Sequence, residues 1–290
     1  MKQALFYTKK ENNKVQCNLC PNNCLIPENK IGSCRARKNI KGVLYSLVYG
    51  KPASINIDPI EKKPLYHFLP GTQVLSFGTF GCNLHCLFCQ NWEISQAMNE
   101  DIEILEPKRI VELAKEYKTP SIAYTYTEPA IFFEYVLETA KLAKKEKIKN
   151  VMVSNGYINE KPLKELIKYI DAFNIDLKAF DEDFYKKICF GKLKPILETL
   201  KLIKKYKKHL EITNLIIPTK NDNLKEIEKM CVWISKNLGK DTPLHFSRFF
   251  PCYKLTNLEP TPIETLVKAK EIAKKYLKYV YIGNVPASFE

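Results

Sequence analysis

Three cysteines stand close together at Cys82, Cys86 and Cys89, with Phe88 directly before the last of them. A [4Fe–4S] cluster is usually held by four cysteine thiolates, and a tight loop with this C-x3-C-x2-C spacing supplies three. One iron then lacks a protein ligand and is open to another molecule. Zinc uses similar short spacings, but His85 lies inside the loop, where it is badly placed to complete a tetrahedron. The spacing therefore favours an iron–sulfur cluster over zinc.

A second set of cysteines near the start of the chain has the spacing C-x2-C-x3-C-x9-C, formed by Cys17, Cys20, Cys24 and Cys34. Four thiolates are a complete ligand set for a tetrahedral zinc ion or for an auxiliary [4Fe–4S] cluster. The knuckle-like turns around Cys20 and Cys34 slightly favour zinc, but the spacing leaves both metals open. A segment this short is expected to need a metal because its own core is small.

Length and composition indicate a globular protein. The chain has 290 residues, of which 45% are hydrophobic and 27% are charged, an ordinary composition for a folded protein with a substantial core. No segment approaches the roughly 18 apolar residues of a membrane span, and the first residues do not resemble a signal peptide. We therefore expect a soluble, cytoplasmic protein without a membrane partner, whose clustered cysteines bind metal.

The formal net charge of +14 comes almost entirely from lysine. A basic protein can bind nucleic acid. Here, however, the lysines are spread over most of the predicted helices with glutamates between them, as in the segment 141–149. This pattern favours solvated helix faces over a nucleic-acid surface.

Residues 1–71 are predicted to form a small cysteine-rich appendage. Its extended runs 42–49 and 53–57, separated by Gly50-Lys51-Pro52, predict a hairpin. Over residues 72–290, strand-like and helix-like segments alternate, which indicates βα units around a parallel sheet. The predicted strands are 73–78, 121–126, 150–154, 172–177, 210–217, 244–249 and 279–282. We predict an α/β fold, a partial (βα)6-type TIM barrel, with its chemistry at the carboxyl ends of the strands.

Polar residues end several of these strands. Asp176 and Lys178 are two apart on the fourth strand and share one face. They are candidates for a cofactor contact, with a plain ion pair as the alternative. Arg248 ends the sixth strand and is a candidate for gripping a carboxylate or a phosphate, with a structural ion pair again as the alternative.

The stretch from Gly81 to Asn91 resembles the signature of the radical S-adenosylmethionine (SAM) enzymes. The resemblance implies that Cys82, Cys86 and Cys89 hold the catalytic cluster, whose open iron chelates the amino and carboxylate groups of the SAM methionine. It implies that the reduced cluster passes one electron to the sulfonium, which releases a 5′-deoxyadenosyl radical. Small electron-transfer proteins are often acidic, so the basic chain is expected to use an acidic donor that is ferredoxin- or flavodoxin-like.

The same resemblance implies roles for residues near the strand ends. Phe88 would lie against the adenine of SAM. Glu128 resembles the end of a Gly-Gly-Glu motif that holds the methionine amino group, although the glycines are absent and a first-turn acid favoured by the helix dipole is the alternative. Ser154 and Asn155 are similar to a segment that contacts the SAM ribose, although such Asn-Gly turns are also common on structural grounds.

Several longer motifs resemble the radical SAM proteins of the AmmeMemoRadiSam system, which are related to the pyruvate formate-lyase activating enzymes. These motifs are Cys17–Pro21, Tyr49–Pro52, Asp58–Pro64, Cys89–Ser95 and Tyr124–Pro129. The similarity covers about residues 17–284, and it implies that Memo-like and AMMECR-like proteins act in the same system. It supplies no substrate. The segment Asp176-Leu177-Lys178 also resembles an Asp-x-Lys pair of enzymes that activate glycyl-radical proteins.

Three functions are consistent with these patterns. The leading hypothesis is a radical SAM enzyme that abstracts a hydrogen atom from an unidentified substrate. The first alternative keeps this chemistry but makes the target a protein glycine, as in glycyl-radical activation. The second alternative is a zinc-stabilised RNA-binding protein without catalysis, which the lysines and the early cysteines suggest. A basic stripe with base-stacking aromatic residues would support it, and the sequence contains none.

Overall fold

The first 46 residues form two small antiparallel sheets in a computed structural model that describes residues 1–98 and 102–286. The strands of the first sheet lie in the order β1-β6-β5, and those of the second in the order β2-β3-β4. Their bounds are β1 Lys2–Gln3, β2 Tyr7–Lys9, β3 Val15–Cys17, β4 Leu25–Ile26, β5 Arg37–Ile40 and β6 Val43–Ser46.

A third, larger sheet contains eight strands in sequence order. They are β7 Pro52–Pro59, β8 Gln73–Thr79, β9 Ser121–Tyr124, β10 Lys149–Ser154, β11 Ala172–Asp176, β12 His209–Ile216, β13 Leu244–Arg248 and β14 Val280–Gly283. Strand β7 is antiparallel to β8, and every later neighbour is parallel. Since β7 and β14 are the two edges, the barrel is partial and not closed. The predicted α/β partial barrel is confirmed.

Helices connect successive parallel strands. They are α1 Trp92–Ser95, α2 Pro107–Glu116, α3 Phe133–Lys145, α4 Glu160–Ile167, α5 Glu182–Phe184, α6 Leu193–Lys205, α7 Leu224–Leu238 and α8 Ile263–Lys274, with a π-helix at Tyr185–Cys189. Helix α7 shows why they form: the side chains of Ile227, Cys231, Ile234 and Leu238 recur at helical spacing and are all buried. The side chain of Asn223 caps the first turn of α7. No helix within the described ranges is long and apolar enough to cross a membrane.

The predicted hairpin between 42–49 and 53–57 is wrong. Strand β6 pairs with β5 and β1, whereas β7 pairs with β8. In this position β7 covers an edge of β8 that would otherwise carry unpaired backbone groups. Prolines at both ends of β7 are tolerated because it is itself an edge strand. Strand β7 precedes residue 71 and belongs to the large sheet. The predicted division of the chain into two domains at residue 71 stays a prediction.

A buried ion pair joins the N-terminal sheets to the barrel. Nη1 of Arg37 lies 2.9 Å from Oε1 of Glu134 on α3, and the two side chains are 1% and 2% exposed. The same carboxylate oxygen accepts a hydrogen bond from the backbone N–H of Leu5 at 2.7 Å. Buried charges are costly unless they are paired and hydrogen-bonded, so this contact fixes one position of the N-terminal sheets on α3.

Arg37→Met should therefore lower the free energy of unfolding by about 3–5 kcal/mol, because Glu134 is left as an uncompensated buried carboxylate. The double variant Arg37→Met/Glu134→Leu should regain most of this loss. Arg109→Met is the matched control, because Arg109 pairs with Glu116 on the exposed surface and its loss should change little. Urea denaturation followed by tryptophan fluorescence measures the difference. Equal stability of Arg37→Met and the wild type would contradict the interpretation.

Candidate functional site

A cavity of about 680 Å³ lies at the carboxyl ends of the parallel strands and extends into the barrel. Eight of the predicted site residues line it: Cys82, Cys86, Phe88, Cys89, Ser154, Asn155, Asp176 and Lys178. Two others, Glu128 and Arg248, do not line it. The four early cysteines lie outside it as well. The structure thus brings most of the predicted cofactor residues to one place.

The cysteine loop leaves strand β8 through Gly81, whose φ of +93° lies in a region that side chains disfavour. A Cβ atom on this residue would come within 2.3 Å of the carbonyl oxygen of Cys34. Glycine is therefore required for the N-terminal segment to pack this closely against the loop. The backbone N–H of Gly81 also donates to the carbonyl of Ile94, 2.9 Å away, which closes the loop at its base.

Hydrogen bonds from three sides hold the rest of the loop. The Asn83 amide donates to the carbonyl of Tyr157 at 2.7 Å, and the Asn83 carbonyl accepts from the Asn22 amide at 2.8 Å. On the other side, the backbone N–H of His85 donates to the carbonyl of Cys189, in the π-helix, at 3.0 Å. These contacts use mainly backbone groups and amides, so the thiols of the loop are not needed to hold its shape.

The three thiols are the donors available to a cluster. Sγ of Cys89 lies 3.1 Å from the hydroxyl of Ser95, and Sγ of Cys82 lies 3.7 Å from the amide nitrogen of Asn155. Burial raises the pKa of both thiols. Within residues 1–98 and 102–286, no three Cys, His, Asp or Glu side chains already surround one metal position. The fit to a [4Fe–4S] cluster rests on three soft donors that share one cavity.

The early cysteines form a separate group behind the loop. Cys17, Cys20 and Cys34 are buried, Cys24 is half-buried, and all four are free thiols. The backbone N–H of Cys17 donates to the carbonyl of Cys24 at 2.9 Å. Burial raises the pKa of Cys20, and it raises that of Cys34 to about 11. The metal predicted here stays a prediction.

Glu128 is fully buried and does not line the cavity. Its Oε1 accepts hydrogen bonds from the Ala130 N–H at 2.9 Å and the Ser154 hydroxyl at 2.8 Å, and its Oε2 accepts from the Asn155 N–H at 2.8 Å. Burial raises the pKa of Glu128 to about 7 against the opposing effect of these hydrogen bonds. In this geometry Glu128 orients Ser154 and Asn155, and its predicted contact with the methionine amino group stays a prediction.

Asn155 connects the end of β10 to the cysteine loop. Its amide nitrogen donates to Oδ1 of Asn83 at 2.9 Å, and its amide oxygen accepts from the Tyr157 N–H at 2.8 Å. Because Glu128 holds the backbone of Asn155, one chain of hydrogen bonds runs from the start of the 3₁₀ helix Pro129–Phe132 to the loop. This chain couples the position of the cysteines to that of the strand ends.

Asp176 and Lys178 form an ion pair inside the cavity. Nζ of Lys178 lies 2.7 Å from Oδ2 of Asp176 and 5.7 Å from the centroid of the Phe88 ring. Although burial opposes it, the nearby Asp176 carboxylate raises the pKa of Lys178 well above its usual value. The ion pair that we considered as the structural alternative is therefore present. Both residues lie on the cavity wall, and their contact with a cofactor stays a prediction.

Arg248 points elsewhere. Its Nε donates to the carbonyl of Thr261 at 2.8 Å, and its guanidinium lies 5.0 Å from the centroid of the Phe250 ring. Neither contact involves a carboxylate or the cavity. The predicted role of Arg248 in gripping an anion stays a prediction.

Sequence reasoning assigned no role to four other residues that line the cavity. These are Asp58, Lys62, Lys63 and Tyr126. The placement of Asp58, Lys62 and Lys63 depends on the pairing of β7 with β8, which the predicted hairpin excluded, whereas Tyr126 follows β9. Tyr126 has φ +66°, an uncommon conformation for a residue with a bulky side chain.

Glu128 should make stability depend on pH. Its folded pKa of about 7 lies above the 4.5 of the unfolded chain, so the folded state holds this proton more tightly and loses stability as pH rises through 7. The wild type should lose about 2 kcal/mol between pH 5.5 and 8 from this group alone. Glu128→Gln should lack that loss, whereas the exposed control Glu259→Gln should retain it. Urea denaturation at both pH values measures the change in the free energy of unfolding. A pH dependence in Glu128→Gln equal to that of the wild type would refute the role of Glu128.

Comparison with known proteins gives the family. A sequence model of the Radical SAM superfamily matches residues 77–234. An uncharacterized protein of Methanocaldococcus jannaschii is 52% identical over 289 residues, which cover 99% of this chain and 86% of that protein. A second protein of the same organism, named as a candidate glycyl-radical enzyme activating enzyme, is 32% identical over 206 residues, which cover 70% of this chain and 77% of that protein.

The fold also matches solved structures. A crystal structure of a domain of pyruvate-formate lyase-activating enzyme from Bacteroides vulgatus aligns with a TM-score of 0.51 and 15% identity. The alignment covers 57% of this chain and 99% of that domain, and it shows likeness of fold. The sequence match, the parallel sheet and the three cysteines on one cavity lead to one conclusion: the chain belongs to the radical SAM superfamily of enzymes and is related to the pyruvate formate-lyase activating enzymes.

Proposed function

We propose that this enzyme reductively cleaves SAM at a [4Fe–4S] cluster and abstracts a hydrogen atom from a substrate. The observation that carries the proposal is that Cys82, Cys86 and Cys89 line one cavity at the carboxyl end of a parallel sheet. When bound, the cofactors would supply the chemistry: one electron would split SAM into methionine and a 5′-deoxyadenosyl group that takes one hydrogen atom from the substrate to become 5′-deoxyadenosine. The family supports an enzyme over an RNA-binding protein without catalysis.

The chain's own residues would bind and orient. Ser154 and Asn155 offer a hydroxyl and an amide, and Asp176 and Lys178 offer a carboxylate and an ammonium group, on the wall of the same cavity. These groups suit the hydroxyls and the zwitterionic end of SAM. Phe88 lies beside the Lys178 ammonium and provides an apolar face for the adenine. Glu128 acts as a positioning residue through its hydrogen bonds to Ser154 and Asn155.

Further proposals concern the surroundings of the site. The early cysteines would hold zinc or an auxiliary [4Fe–4S] cluster, and the contact of the Cys34 carbonyl with Gly81 would let that metal stiffen the loop. The net charge of +14 supports an acidic, ferredoxin- or flavodoxin-like electron donor. Membership of the AmmeMemoRadiSam system, with Memo-like and AMMECR-like proteins, is proposed from the sequence motifs. A cytoplasmic location is proposed from the clustered cysteines, which favour metal binding in a reducing compartment.

Glycyl-radical activation is the second candidate. The name of the 32% identical relative and the Asp176–Lys178 pair favour it. Reduced enzyme, SAM and a candidate glycyl-radical protein, incubated without oxygen, should then give a protein-centred doublet in electron paramagnetic resonance. The matched control is the same protein with its radical glycine replaced by alanine. A signal of equal size in that control, or no doublet with the native protein, would exclude this candidate.

Cys86→Ala should abolish cluster binding at the loop. Anaerobically purified wild type should hold about four iron and four sulfide, or about eight of each if the early cysteines also bind a cluster, whereas zinc in their place would appear as about one zinc. Cys86→Ala should lose about four iron and form no 5′-deoxyadenosine with dithionite and SAM. The control Cys231→Ala, on the buried side of α7, should keep the iron and should still form 5′-deoxyadenosine. Full iron and product in Cys86→Ala would overturn the proposal.

A further inference from the structure

The deep end of the cavity contains a second lysine–carboxylate pair. Asp58 lies on β7 opposite Val74, whereas the cysteine loop follows Thr79 at the other end of β8. Five residues of extended strand separate these levels by about 17 Å. Lys62 and Lys63 follow in the turn after β7, and both line the same cavity as the cysteines. The cavity therefore has a polar end far from its thiols.

Lys63 is held tightly in this place. Its Nζ lies 2.7 Å from Oδ2 of Asp58, and its side chain is only 4% exposed. The ammonium also lies 4.6 Å from the centroid of the Tyr126 ring. The Tyr126 hydroxyl donates to the same Oδ2 of Asp58 at 2.7 Å. Although burial opposes it, the hydrogen bonds from Lys63 and Tyr126 lower the pKa of Asp58, so the carboxylate is ionised.

Tyr126 connects this pair to the cluster loop. Its carbonyl accepts a hydrogen bond from the Asn91 amide at 2.6 Å, and Asn91 follows the last cluster cysteine by two residues. Strained backbone such as the positive φ of Tyr126 persists where the surroundings enforce it, and it is concentrated at functional sites. The same residue therefore touches both ends of the cavity.

The charge at this end is positive. The Lys62 side chain is 70% exposed, and its Nζ lies 3.8 Å from Oδ1 of Asp58, so a buried and an exposed ammonium group lie near one carboxylate. A buried ion pair contributes little net stability, because desolvation offsets most of the attraction. An ammonium group has three N–H donors, and Asp58 accepts one from Lys63. The group is thus equipped to donate to a further acceptor inside the cavity.

We propose that Lys63, assisted by Lys62, binds the acidic group of a small-molecule substrate, a carboxylate or a phosphate, at the deep end of the cavity. Asp58 and Tyr126 act as positioning residues that hold the Lys63 ammonium in place. The inference rests on the proposed function, since it takes this cavity as the active site. A small molecule is favoured over a protein because the side chains of Lys63 and Asp58, on the cavity wall, are only 4% and 14% exposed.

Isothermal titration calorimetry tests this directly. The anaerobic holoenzyme with SAM is titrated separately with inorganic phosphate and with succinate, so that the two arms distinguish phosphate from carboxylate. We expect one of these anions to bind at one site. Lys63→Gln should raise the dissociation constant of that anion by about tenfold or more, because a hydrogen bond between charged groups is lost. The matched control Lys9→Gln, on the exposed β2, should bind as the wild type does.

Asp58→Asn distinguishes a lysine that binds an anion from a lysine in a purely structural ion pair. The asparagine oxygen still accepts from Lys63, but the competing negative charge is gone, so anion binding should become several-fold tighter. Absence of binding for both anions, equal affinity in Lys63→Gln, or unchanged or weaker affinity in Asp58→Asn would each overturn the inference. Anion binding needs no SAM cleavage, so failure to form 5′-deoxyadenosine would refute the proposed function separately.

Discussion

The close approach of the Cys34 carbonyl to Gly81 is the contact on which the site depends. It sets the direction in which the cysteine loop leaves β8, and only a residue without a Cβ permits it. The loop is then held by hydrogen bonds to the carbonyls of Tyr157 and of Cys189 in the π-helix, and by one from the Asn22 amide, rather than by its thiols. The thiols are consequently available for iron, while the position of the loop is already determined by the fold.

Buried charge explains much of the remaining architecture. The pair Arg37–Glu134 fixes the N-terminal sheets on α3, and through them the segment that contacts Gly81. Among the residues that the structure describes, Glu128 has no cationic partner and is instead satisfied by three N–H and O–H donors, two of them from Ser154 and Asn155. In both places, hydrogen bonds to a buried carboxylate give a neighbouring segment a defined position: the N-terminal sheets at Glu134, and the end of β10 at Glu128.

The cavity itself has two polar ends. Near the cysteines, Asp176 and Lys178 face the space in which SAM would bind, whereas Lys63 and Asp58 lie deep in the barrel. Such a division suits an enzyme that must hold a cofactor and a substrate in contact while excluding water. Strand β7 is essential to it, because this antiparallel edge carries Asp58.

The sequence alone determined the parts that depend on neighbouring residues. The three loop cysteines lie within eight positions, so their common place on one cavity could be predicted. The alternation of strands and helices follows from the local hydrophobic period, so the partial barrel could be predicted as well. Pairing between distant segments could not: β7 lies beside β8 rather than β6, and this brings Asp58 and Lys63 into the cavity. The orientation of Glu128 and Arg248 was also decided by the tertiary structure, because it depends on which distant donors and acceptors reach them.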